Sequence, residues 1–74
     1  REFTFLHEIG HRVYDTLPKE FKDKWEHLVK KTDHKFKEHN IEELFCMIYA
    51  QAYAKHKLKE FEIPVLVKYV KSLG

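Results

Sequence analysis

The stretch Leu6-His7-Glu8-Ile9-Gly10-His11-Arg12-Val13 decides how the rest of this chain is read. Phe3, Leu6, Ile9, Gly10, Val13, Tyr14 and Leu17 recur around it at three- and four-residue steps, the spacing of one helix face. The pattern predicts a helix from about Glu2 to Leu17, ended by Pro18, which pushes the residue before it out of helical backbone. Gly10 interrupts that helix at a cost of about 1 kcal/mol relative to Ala, which points to another element passing close by. His7 and His11 are four apart and share a face, one turn above each other. Two imidazoles so placed can hold one zinc ion. Glu8, between them, can take a proton from water that the metal has acidified without being a ligand.

Three further helical segments follow. Pro18 to about His39 carries Phe21, Trp25, Leu28, Val29, Thr32 and Phe36 as a buried stripe; Pro18 suits a first helical position. Its weakest part is Thr32-Asp33-His34, a candidate break, and Glu26–Lys30 is a favourable i,i+4 pair on its solvated side. Asn40 is a good N-cap for a segment reaching about Lys57 through Leu44, Phe45, Ile48, Tyr49, Ala52 and Tyr53. The last runs from Pro64 to Leu73, with Val65, Leu66, Tyr69, Val70 and Leu73 as its stripe. No stretch reads as a strand. The expected fold is mainly α, three to four helices in a single domain spanning residues 1–74.

A chain of 74 residues buries only about 60% of its unfolded surface, so its core gains from a metal or an oligomer. The single Cys46 excludes an internal disulfide framework and fits a reducing compartment. Arg1-Glu2-Phe3 opens no secretory signal, and no apolar run approaches the roughly 20 residues of a membrane span. The reading is a cytoplasmic chain without a membrane partner. The net charge of +2 arises from intermixed Lys, Arg, Asp and Glu, which argues against a nucleic-acid partner.

A catalytic zinc takes three protein ligands and keeps one open position. No histidine follows six residues after His11, where Leu17 stands. The remaining candidates are Glu42 and Glu43, ahead of Leu44-Phe45-Cys46-Met47-Ile48-Tyr49-Ala50. They point about 100° apart around a helix, on opposite borders of its apolar face, and periodicity leaves both open. Asn40 with Glu43 three residues later is also close to a capping box, which competes for the same carboxylate.

His7-Glu8-Ile9-Gly10-His11, followed about thirty residues later by Glu42-Glu43-Leu44-Phe45, resembles the gluzincin metallopeptidases, in particular their small stand-alone archaeal members and the lethal-factor-like branch. The resemblance covers about residues 5–53. It implies a zincin-like catalytic domain hydrolysing peptide bonds of a peptide or protein substrate. It implies Zn2+ as cofactor, His7, His11 and Glu43 as its ligands, and Glu8 as general base and acid. The register chooses Glu43, because the family's ligand directly precedes an apolar pair, here Leu44-Phe45.

Three departures accompany it. The family's acidic residue one turn after the third ligand, which supports a zinc histidine, is Met47 here. The tyrosine seven residues before that ligand is Phe36, which leaves His34, His39, Tyr49 and Tyr53 as candidates for stabilising the tetrahedral intermediate. Zincins also place a small sheet before the motif helix. This chain begins six residues before His7, so the expectation is the helical part of such a domain. A cleft left incomplete in this way implies self-association covering the active site, with Val65, Leu66 and the Gly74 carboxylate as occupants.

Two other readings stand beside the peptidase. One is a non-catalytic zinc-binding helical module, in which the metal only ties the first and third helices together. The other is a helical interaction protein in which the motif arises by chance. The remaining histidines, His27, His34, His39 and His56, read as solvated, and Cys46 as a small buried hydrophobe.

Overall fold

In the computed structural model, which describes residues 1–74, the first periodic segment is helix α1, Glu2–Thr16. Leu17 leaves helical backbone for an extended conformation immediately before Pro18, as the proline requires. Helix α2 covers Lys19–Lys31, α3 covers Ile41–Tyr53, and α4 covers Pro64–Leu73; a single 3-10 turn, Lys59–Phe61, precedes α4. The fold is mainly α, with four helices and no strand. No helix is long and apolar enough to cross a membrane.

Helix α3 is the centre. Leu44, Phe45, Cys46, Ile48, Ala50, Gln51 and Ala52 are buried on it, and the other helices pack around it. Trp25 and Val29 of α2, Leu66 and Val70 of α4, and Phe61 complete the core with Leu44, Phe45, Ile48 and Ala52. The Trp25 indole meets the Phe45 ring edge-on at 5.3 Å, and Tyr14 of α1 packs on the same ring at 5.1 Å. Trp25 Nε1 also donates to the Ile41 carbonyl at 3.0 Å. That bond ties the start of α3 to α2 and so fixes the rotation of the turn that carries Glu42 and Glu43.

Helices α1 and α3 run antiparallel. Glu2 at the start of α1 accepts from the Lys55 N–H beyond the end of α3, and His11, nine residues on, reaches Glu42 at the start of α3. Gly10 lies at their closest approach and is buried. A Cβ there would stand 3.0 Å from Cys46 Cα and 3.3 Å from the Cβ atoms of Cys46 and Tyr49. This is the close passage that a glycine inside an amphipathic helix implies. Because the obstructing atom at Cys46 is backbone, Gly10→Ala must push the helices apart. The expected result is a loss of about 1–3 kcal/mol, read as a lower denaturation midpoint with an unchanged m-value. An unchanged midpoint would show that the contact can yield without strain.

Three segment ends differ from the periodic reading. Pro18 is the N-cap of α2, not its first helical residue; its carbonyl accepts from Phe21 and Lys22. Helix α2 stops at Lys31, eight residues short of the expected His39, at the Thr32-Asp33-His34 break. His34 closes it: Nε2–H donates to the Val29 carbonyl at 3.1 Å, while Nδ1 accepts the Phe36 N–H at 3.0 Å. Lys37 Nζ donates to the carbonyls of Val29 and Lys30. These side chains satisfy C-terminal carbonyls that no further helical turn reaches. Helix α3 ends at Tyr53, short of Lys57, by the same device: Lys57 Nζ donates to the Gln51 and Ala52 carbonyls, and the buried Gln51 side chain accepts from Leu58 N–H. The Glu26–Lys30 pair forms at 2.8 Å on the exposed side of α2. Leu66 is fully buried in the core, so it is not free to occupy a cleft; Val65 beside it is exposed.

Candidate metal centre

Asn40 caps α3 alone. Its Oδ1 accepts from the backbone N–H of Glu42 at 2.8 Å and of Glu43 at 3.2 Å. The Glu43 side chain is thereby released from the reciprocal capping role and turns to α1. Its Oε1 lies 3.0 Å from His7 Nε2 and its Oε2 lies 3.0 Å from His11 Nε2. One carboxylate thus spans both imidazoles of the motif. Glu42 takes the other side of His11: its Oε2 lies 2.9 Å from Nδ1. The two imidazoles meet edge-on, their centroids 5.1 Å apart.

These distances set the protonation of the site. His11 faces a carboxylate with each ring nitrogen, an arrangement that favours the doubly protonated imidazolium. Its pKa is raised above the ordinary 6.5, first by the hydrogen bond to Glu42 and then by the charges of Glu43, Glu42 and Glu8, against the opposing effect of burial. The side chains of His7, His11 and Glu43 are 22%, 32% and 44% exposed, so the cluster opens to solvent on one side. Glu8 is exposed and takes part in no ion pair. On the inner side, Cys46 is buried and carries no disulfide. Burial pushes its thiol up to about 12, with the charges of Glu43, Glu42 and Glu8 adding to the shift.

Imidazole, carboxylate and thiol are donor types that zinc takes, and the donors within 4.8 Å of one another are those of His7, His11 and Cys46. Ligand atoms about 2.0–2.1 Å from a tetrahedral ion stand about 3.3 Å apart, and the nitrogen–oxygen separations here are already 3.0 Å. The hydrogen bond from Nδ1–H to Glu42 leaves Nε2 of His11 as the nitrogen able to take a metal once its proton departs. A carboxylate in that position fixes the tautomer and ring orientation of a metal-binding histidine. Met47, one turn after Glu43, is apolar and offers no such support. The structure supplies an acidic contact to His11 from Glu42, five residues earlier and on the same helix. The signal was a second carboxylate beside Glu43, which periodicity alone could not orient.

The four residues considered for oxyanion stabilisation make no hydrogen bond to the cluster. His34 is occupied in closing α2. His39 meets Phe36 edge-on at 5.3 Å, and Tyr49 and Tyr53 pack on each other at 4.9 Å. Phe36 stacks on Phe61 at 4.9 Å. A tyrosine that sequence reasoning left aside, Tyr14, lies one turn past His11; its pKa is raised by burial and then by the charge of Glu42. The larger of the chain's two surface hollows, about 400 Å³, lies between the end of α3 and α4 and is lined by none of the site residues.

Compared with protein-family models, with curated proteins and with solved structures, the chain matches none.

Proposed function

We propose that the cluster is the zinc site of a metallopeptidase, with His7, His11 and Glu43 as ligands and Glu8 as the proton-transferring residue. The observation that carries this reading is the Glu43 carboxylate lying 3.0 Å from Nε2 of both motif histidines, while Glu42 holds Nδ1 of one of them. An ordinary surface pair of histidines needs neither contact. Zinc bound here would supply Lewis acidity, lowering the pKa of water to about 7 and polarising a peptide carbonyl. Glu42 keeps the His11 ring in one tautomer and one orientation. Glu8, exposed and unpaired beside the ligands, takes the proton of the attacking water at a carboxylate oxygen and passes it to the departing amine. Such proton transfer is worth about 10²–10⁴-fold in rate. The substrate class is a peptide or protein.

Glu8→Gln tests the role directly. The amide keeps the size of the side chain and cannot accept the proton. The expected result is an unchanged zinc stoichiometry with peptide hydrolysis reduced by about 10²-fold or more. Loss of zinc from the variant, or full turnover, would contradict the assignment.

A second reading, a zinc-binding module without catalysis, draws on the position of Cys46 on the inner side of the same cluster. Metal bound at one equivalent, with no hydrolysis of unstructured peptides by the native chain or by Cys46→Ala, would favour it.

A further inference from the structure

On the inner side of the imidazoles lies a donor that neither the motif nor the resemblance assigns. Cys46 follows Glu43 by three residues, so the two occupy successive turns on one side of α3. Its Sγ and one ring nitrogen from each of His7 and His11 all lie within 4.8 Å of one another. The residue is fully buried, carries no disulfide, and its thiol makes no hydrogen bond. The missing side chain of Gly10 allows this approach, since Cys46 Cα and Cβ lie directly beneath that position.

The donors are therefore stacked by depth. Glu43 and the imidazoles face solvent in part, and the sulphur is buried beside the imidazoles. The two imidazoles and the sulphur lie within 4.8 Å of one another, Glu43 lies 3.0 Å from an Nε2 of each histidine, and these donor types suit zinc or cobalt and suit magnesium or calcium poorly. Both pairs are local: His7 and His11 are four apart on α1, and Glu43 and Cys46 are three apart on α3. Two antiparallel helices thus offer four donors without help from any loop.

Resting on the zinc reading above, we infer that Cys46 is the fourth donor, which closes the coordination sphere in the resting chain. Substrate then gains access only when the sulphur gives up its place, so the site carries its own latency. Cys46→Ala would leave that position open to an exchangeable ligand.

Cobalt(II) is the probe, because sulphur coordination gives it a spectroscopic signature independent of activity. The metal-free chain is loaded with one equivalent and its absorption recorded with and without azide. The expected result for the native chain is an intense near-ultraviolet thiolate-to-cobalt band and tetrahedral visible bands that azide does not change. In Cys46→Ala and Cys46→Ser, the band is lost and azide shifts the visible spectrum. Cys46→Ser keeps the side-chain size, and the native spectrum alone decides the matter should both variants misfold. Stoichiometric cobalt without the thiolate band in the native chain overturns the inference and leaves the three-ligand zinc site standing. Failure of the native chain to bind cobalt or zinc stoichiometrically overturns both.

Discussion

Glu43→Ala is expected to lower zinc affinity by more than about 100-fold, and Glu42→Ala by about 10–100-fold, the range found for partners that orient a ligand without touching the metal. The two carboxylates are adjacent in sequence but do different work. Glu43 lies 3.0 Å from Nε2 of both histidines, so on the proposed reading its removal deletes a ligand. Glu42 reaches only Nδ1 of His11, at 2.9 Å, so its removal frees the ring to rotate and to change tautomer. The sequence alone predicts that Glu42→Ala has little effect, because it gives Glu42 no task beyond the helix dipole. The structure revises that expectation upward. Glu42→Gln should recover most of the loss, since an amide oxygen still accepts from Nδ1–H. Competition against a chromophoric chelator at fixed pH measures all three. A larger loss from Glu42→Ala than from Glu43→Ala would mean that the two have exchanged roles; native affinity in Glu43→Ala would remove it from the ligand set.

Much of this was legible because helical periodicity and metal spacing are both local signals. The face of α1 that carries Leu6, Val13 and Gly10 also carries His7 and His11, so one pattern located the helix and the motif together. Asn40 announced the start of α3 through a side chain that bonds only two and three residues away. The ends of α2 and α3 were not legible. They are set by His34, Lys37, Gln51 and Lys57 folding back over five to eight residues, and no periodicity records such bonds. The support that His11 finds in Glu42 was hidden for a related reason. It depends on the rotation of α3, which the Trp25 bond to Ile41 and the close passage at Gly10 fix from outside the helix. The burial of Cys46 was legible, since it reads as a small hydrophobe on the apolar face of α3, but only packing against α1 brings its sulphur within 4.8 Å of a ring nitrogen of each histidine.

Zinc is expected to raise the melting temperature by about 10–20 °C at a free concentration 100 times its dissociation constant at pH 7, and, with that concentration held fixed, the increment is expected to grow as pH rises from about 6 to 8. The first part follows from mass action. Binding to the folded state alone adds about 2.7 kcal/mol at that concentration. For a domain of this size each kcal/mol moves the midpoint by about 4–8 °C. The second part follows from His11. Its pKa in the metal-free fold is raised above 6.5, chiefly by Glu42. A raised pKa means that its ion pairs stabilise the metal-free fold fully below the unfolded value, and that this contribution fades as pH climbs through the folded one. Zinc needs the Nε2 that this proton occupies, so acid weakens binding and base favours it. These are one proton linkage seen from two sides, and it widens the gap between loaded and metal-free chains as pH rises. Comparing the two forms at each pH cancels every group that titrates alike in both. The measurement is a pair of thermal scans, with zinc and with chelator, across that range. A gap that stays constant or narrows toward pH 8 would mean that the His11 proton and the metal do not compete for one nitrogen.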